Sequence, residues 1–208
     1  MKIGIIGAGK IGGTLAGLFA QAGHEVAISN SRGPETLADV VEEIGGGVQA
    51  MTVADAAAFG DVVVVSIPLY AYRQVPVAQT AGKIVVDANN YYPSRDGQIA
   101  ELDDDSTTST ELLQAHLPDA RVVKAFNAIM WKHLGNDGRP AGDPERLGIP
   151  ISGDDEDAKR TVAELIDQIG FDPIDAGTLA EGGRKQQPGA PGYTMGTPTP
   201  ELRSLLGV

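Results

Sequence analysis

The spacing Gly7-x-Gly9-x-x-Gly12 constrains this chain more than any other feature. It follows Lys2–Ile6, a short isoleucine-rich run that reads as a buried strand. It opens residues 10–22, where Ile11, Leu15, Leu18 and Phe19 recur at helical spacing until Gly23 ends the pattern. Strand, glycine turn and helix in that order make the first half of a βαβ unit that holds a dinucleotide pyrophosphate. Gly7 is expected to form the tight turn, Gly9 to admit the phosphates against the backbone, and Gly12 to let helix pack on strand. Ala8 lies within the same loop. The amides of Lys10 and Ile11 are expected to face the pyrophosphate at the positive end of the helix.

The remaining chain keeps alternating. Glu25–Ser29 reads as a second strand, followed by a helix from Pro34 to Gly45-Gly46-Gly47, a short strand at 48–51 and a helix at 53–59. Asp61–Ile67 and Lys83–Asp87 are further strands with a helix between them. Residues 91–110 read as a loop entering a helix over 107–117, and Arg121–Ala125 as a sixth strand. After a Gly/Pro-rich loop at 135–148 come a strand at 149–152, an amphipathic helix at 154–169 and a strand at 171–175. The tail from Gly182 is dense in Gly and Pro and reads as irregular. This order implies an α/β, Rossmann-like, doubly wound and mainly parallel sheet with a C-terminal strand–helix–strand extension. At 208 residues the chain suits one domain, with 1–125 as dinucleotide-binding core and 126–208 as an extension closing the acceptor pocket.

Nucleotide choice is decided at the end of the second strand, where an NAD site usually carries Asp or Glu for the ribose 2′-hydroxyl. Here stand Asn30, Ser31 and Arg32. A carboxylate repels a 2′-phosphate, whereas these three donate to one, so NADP(H) is the expected cofactor. Glu35, the nearest acid, falls in the next helix as a partner for its dipole.

Composition sets the outer limits. A net charge of −12 argues against nucleic acid, and no apolar run is long enough to span a membrane. The N-terminus has no signal-peptide pattern, so a cytoplasmic location is expected. With no cysteine, thiol nucleophiles, iron–sulfur clusters and cysteine zinc sites are excluded, and redox chemistry needs an organic cofactor. His24, His116 and His133 form no metal-binding pattern. Two mildly basic islands interrupt the acidic chain: residues 121–150, with five cations against three carboxylates, and 182–208, with three against one. Either they scatter over the surface or they gather round an anionic ligand.

The fingerprint, Ser-Arg-Gly-Pro at 31–34, Val-Val-Ser-Ile-Pro at 64–68, Asp-Ala-Asn-Asn at 87–90, Val-Lys-Ala-Phe-Asn at 123–127 and Ile-Ser-Gly-Asp-Asp at 151–155 together resemble the NADPH-dependent reductases of the deazaflavin coenzyme F420. They are similar also to the cytosolic reductase domain of the six-transmembrane ferric reductases. The resemblance runs to about residue 180. It implies that Gly7, Gly9, Gly12, Asn30, Ser31 and Arg32 bind NADPH, with Ser66, Ile67 and Pro68 along its path, and it suggests a homodimer. Hydride would pass to a small-molecule redox acceptor such as F420 or a flavin. Asn89, Asn90 and Asn127 fall where a crevice forms in such sheets and are candidates for the nicotinamide and acceptor pocket, Asn90 and Asn127 as positioning residues. Phe126, Met130 and Trp131 would either stack on a planar ring or belong to the core, and His133 would either donate a proton or lie on the surface. Two departures stand out: Asn127-Ala128-Ile129-Met130 replaces the family's His-Thr-Ile-Pro, and the tail after 182 does not follow its pattern.

Hydride transfer between stacked rings asks mainly for positioning, so an absent acid or base is no objection. Two other readings stay open: a reductase of another small carbonyl or quinone, and a non-catalytic NADP(H)-binding redox sensor. A polyanionic F420 tail requires Lys124, Lys132, Arg139 and Arg184 to share one mouth of the pocket.

Overall fold

The computed structural model describes residues 1–208. In chain order its elements are β1 (Lys2–Ile6), α1 (Lys10–Gln21), β2 (Glu25–Ser29), α2 (Ala38–Ile44), β3 (Gln49–Ala50), α3 (Val53–Phe59), β4 (Val62–Val65), α4 (Val77–Thr80) and β5 (Ile84–Asp87). Then follow α5 (Pro93–Asp96), α6 (Ala100–Asp103), α7 (Ser109–His116), β6 (Arg121–Lys124), α8 (Trp131–Asn136), β7 (Gly148–Gly153), α9 (Glu156–Gln168), β8 (Asp172–Asp175), α10 (Glu181–Lys185) and α11 (Thr199–Leu206). All eight strands join in one sheet of order β3-β2-β1-β4-β5-β6-β7-β8. The first six are parallel. β7 runs antiparallel to β6 and β8 parallel to β7, so the strand–helix–strand extension continues the sheet in the opposite direction.

Strands buried on both faces must be apolar at consecutive positions, and Val62 to Val65 are all buried. Alternate residues serve opposite layers. Ile3, Ile5, Val62, Val64 and Val86 pack with Leu15 and Phe19 of α1 and with Val162, Leu165 and Ile166 of α9. Ile6, Val63, Val65 and Val85 pack with Ala57 of α3 and Leu113 of α7. Asp155 accepts the Ala158 amide at 2.7 Å and caps α9, the role its place before an amphipathic run implies.

Register fixes where the site can be. Ser29, Ile6, Val65, Asp87 and Lys124 stand side by side across β2, β1, β4, β5 and β6. The chain therefore leaves all five strands on one line. Gly7, Asn30, Ser66, Ala88 and Ala125 begin the loops beyond it, on either side of the β1–β4 switch point where ligands of such sheets bind.

Several boundaries differ from expectation. The helix expected from Pro34 opens as a 3-10 turn over Pro34–Leu37 before α2, and the strand expected at 48–51 shrinks to two residues. Within 91–110, Pro93 and the apolar residues near 100 support the short helices α5 and α6. The tail is not irregular as expected. Pro200 stands in the first turn of α11, Gly207 ends it in a left-handed conformation, and Leu202 and Leu206, one turn apart, pack on Ile174 of β8. Glycine and proline density outweighed that two-residue apolar stripe. No helix is long and apolar enough to cross a membrane.

Candidate dinucleotide site

A cleft of about 710 Å³ opens at the switch point. Nine residues singled out in the sequence line it: Gly7, Ala8 and Gly9 from the first loop, Asn30, Ser31 and Arg32 after β2, and Ser66, Ile67 and Pro68 after β4. The glycines do three different things. Gly7 has φ +112°, and a Cβ there would lie 2.0 Å from the Ser66 carbonyl oxygen, so no side chain fits the turn. A Cβ on Gly12 would lie 1.9 Å from the Gly7 carbonyl oxygen, so α1 packs too closely for one. Gly9 has nothing within 4 Å of its Cβ position and keeps open space above the loop.

The first amide of α1 with a helical partner is that of Gly13, bonded to the Gly9 carbonyl at 2.8 Å. The N–H groups of Lys10, Ile11 and Gly12 lack an acceptor within the helix, and no side chain caps them. Free donors, a helix dipole and open space over Gly9 fit a pyrophosphate.

Asn30 does more than face the cleft. Its Oδ1 accepts the Arg32 amide at 2.9 Å and its Nδ2 donates to Thr36 Oγ1 at 2.9 Å, while Thr36 Oγ1 donates to the Gly33 carbonyl at 2.8 Å. The side chain folds the loop that carries Ser31 and Arg32. Both are exposed, and Arg32 forms no ion pair. Thr36 was missed from the sequence, as were Leu37, Val40, Val53, Tyr70, Ala71 and Gln74, which with Ile6 complete the lining. They come from separate elements, and no local pattern joins them.

The asparagines lie deeper. Asn89 Oδ1 accepts the Ile67 amide at 2.8 Å, fixing the cleft wall from behind, and its Nδ2 is buried without a partner. Asn127 Nδ2 donates to Asn90 Oδ1 at 3.1 Å and to the Gln186 carbonyl at 2.7 Å, and Asn90 Nδ2 donates to the Asn127 carbonyl at 2.9 Å. Asn127 Oδ1 and Gln186 Oε1 are likewise buried and unpaired. Beside this group, Tyr92 and Tyr193 join hydroxyl to hydroxyl. The tail brings Tyr193 and Gln186 here, which the sequence reading did not foresee.

The basic islands do not share one free mouth. Lys124, 1% exposed, pairs with the fully buried Asp87 at 3.3 Å and also donates to the Asn89 carbonyl. A lysine at the end of β6 points into the protein because the line of strand ends buries it. Arg139 is paired with Asp143 and Glu145, Arg184 donates to the Ala180 and Asp105 carbonyls, and Lys132 lies over the Trp131 ring. Phe126 is core, 1% exposed and edge-on to Phe19, and does not stack on a ligand. Met130 and Trp131 are partly exposed, with Lys10 Nζ 5.0 Å above the indole. His133 of α8 is held by Asp137, the residue just past the end of that helix, and lines no cleft described above.

A glycine turn at the switch point, a helix N-terminus with free amides and an unpaired arginine after β2 define a Rossmann-type dinucleotide-binding protein. Known proteins narrow the class. The family profile "NADP oxidoreductase coenzyme F420-dependent" matches residues 2–91. The F420-dependent NADP reductase of Methanothermobacter thermautotrophicus is 34% identical over 196 residues, covering 86% of this chain and 82% of that protein. Metalloreductase STEAP3 of Rattus norvegicus is 31% identical over 181 residues; the match covers 86% of this chain and only 34% of the rat protein. A crystal structure of a hypothetical protein from Sinorhizobium meliloti is similar throughout, with TM-score 0.82, 37% identity and 96% of each chain covered. This chain belongs to the F420-dependent family of NADP-dependent oxidoreductases.

Proposed function

We propose that the protein passes hydride between NADPH and a deazaflavin or flavin-like acceptor. The observation that carries the NADPH half is the unpaired Arg32 on a loop folded by Asn30, at the place where an NAD site would carry an acid. In this reading the amides of Lys10, Ile11 and Gly12 hold the pyrophosphate. Gly9 gives it room, while Ser31 and Arg32 bind the 2′-phosphate. Ala8, Ser66, Ile67 and Pro68 line the path towards β5. Asn89 keeps Ile67 in place, and Asn90 and Asn127 shape the acceptor side, which residues 126–208 close. Bound there, the dihydronicotinamide supplies the hydride; the protein supplies position and a dry wall.

Family membership supports a deazaflavin or flavin as acceptor. The pairing of Lys124 and Arg139 favours a second reading, a small neutral quinone or carbonyl, because a polyanionic tail lacks a shared cationic mouth. The test is NADPH oxidation, followed at the nicotinamide band, with F420, FMN, FAD and a quinone offered separately. Turnover with F420 or a flavin is expected. Turnover with the quinone alone selects the second reading, and NADPH binding without any turnover makes the protein a redox sensor instead.

A further inference from the structure

Tyr92 and Tyr193 lie 101 residues apart in sequence, and their hydroxyls bond to one another. Tyr92 stands five residues beyond the end of β5. Tyr193 arrives on the tail, which is pinned across the end of β6: Met195 pairs with Ile129, its amide bonded to the Ala128 carbonyl at 3.0 Å and its carbonyl to the Met130 amide at 2.9 Å. The pair therefore sits at the carboxyl ends of β5 and β6. A dinucleotide with its pyrophosphate on α1 and its adenosine over β2 sends its other half towards this side.

Two hydroxyls that share one hydrogen bond have one O–H proton left over. Either hydroxyl can donate within the pair; with Tyr193 as the donor, and Asn90 Nδ2 3.5 Å from its oxygen, the Tyr92 proton is free. No protein acceptor takes that proton. Arg95 lies over the Tyr92 ring at 5.0 Å and donates to the Asn90 carbonyl at 2.7 Å, so ring and amide are held together. Three unpaired polar atoms, Asn89 Nδ2, Asn127 Oδ1 and Gln186 Oε1, are buried in the surrounding group. Such atoms mark a place where polar partners are expected.

Resting on the proposed reductase function, we propose that the Tyr92 hydroxyl donates a hydrogen bond to a conjugated carbonyl oxygen of the hydride acceptor, with Tyr193 and Asn90 as positioning residues. Flavin, deazaflavin and quinone all carry such an oxygen. When hydride leaves the dihydronicotinamide with its bonding pair, NADPH becomes NADP⁺ and the acceptor gains two electrons. Negative charge then develops on the carbonyl, opposite the waiting O–H, and a solvent proton completes the reduction. Burial, then the hydrogen bond with Tyr92, pushes the Tyr193 hydroxyl well above the ordinary tyrosine range, in keeping with a hydroxyl that holds its proton within the pair.

The test compares Tyr92→Phe and Tyr193→Phe with the parent protein, using FMN, F420 and menadione as separate acceptors. Tyr92→Phe is expected to keep the parental NADPH dissociation constant, with a slightly lower melting temperature because Tyr193 loses its acceptor, while kcat falls about 10²-fold. The shift of the FMN visible band on binding, a sign of hydrogen bonding to the ring, is expected in the parent and not in Tyr92→Phe. Tyr193→Phe keeps the Tyr92 hydroxyl and should lose about tenfold in kcat, with NADPH binding unchanged. Parental kcat and band shift in Tyr92→Phe overturn this inference and leave the reductase reading standing. A parent protein that turns over none of the three acceptors overturns both.

Discussion

Replacing Lys124 by methionine tests the buried floor of the site most directly. Lys124 Nζ reaches Asp87 Oδ2 at 3.3 Å, the Asn89 carbonyl at 3.0 Å and Ser109 Oγ at 3.4 Å, and both charged side chains are at most 1% exposed. Methionine nearly fills the volume but leaves Asp87 as a buried carboxylate with Thr110 Oγ1 as its side-chain donor. Removing one partner of a buried pair costs about 3–5 kcal/mol. With a urea slope of about 2–3 kcal/mol per M for a chain of this size, the unfolding midpoint should drop by about 1–2.5 M. Converting Asp87 to asparagine in the same chain removes the stranded charge and should recover more than half of the loss. Urea titrations of parent, both single variants and the double variant measure each term. A midpoint shift under about 0.3 M for Lys124→Met, with an unchanged slope, would refute the reasoning, since it corresponds to less than about 1 kcal/mol.

Three further outcomes are expected. Arg32→Ala should weaken NADPH binding about 10- to 100-fold and NADH binding about twofold or less, by fluorescence titration; equal losses would remove Arg32 from the 2′-phosphate site. Gly12→Val places side-chain atoms where a Cβ already lies 1.9 Å from the Gly7 carbonyl, so both melting temperature and nucleotide affinity should fall, the latter at least about tenfold. Burial alone would raise the Asp96 carboxyl, but hydrogen bonds from Arg95 and from the Tyr92 and Tyr70 amides outweigh it and hold the group below the usual carboxylate range. Its stabilisation is thus complete above about pH 4 and is lost as pH falls through the lower folded value, so the stability gap between parent and Asp96→Asn should narrow below about pH 4 in acid-unfolding titrations.

The geometry of the glycine loop was legible because its demands are local. Gly7, Gly9 and Gly12 answer to one turn and one helix end, and Asn30, Ser31 and Arg32 to the end of one strand. Six consecutive residues and three more carry the pattern, and the doubly wound, mainly parallel sheet follows from alternating strands and helices. The sequence left Lys124 either scattered on the surface or gathered at an anionic ligand, because charge in a sequence does not say which way it points. That depended on Asp87, 37 residues away, reaching the same line of strand ends. Phe126 was offered as either core or stacking residue, and Phe19 decided for core. Tyr193 and Gln186 escaped notice because their meaning lies in contacts with Tyr92 and Asn127, made across the sheet by a tail with little periodicity of its own. The sequence by itself determined the fold class and the geometry of the glycine turn, since short-range sterics and hydrogen bonding dictate both. Only the tertiary structure decided which charges are buried and which hydroxyls meet, because burial and long-range pairing are properties of the packed chain and of no segment within it.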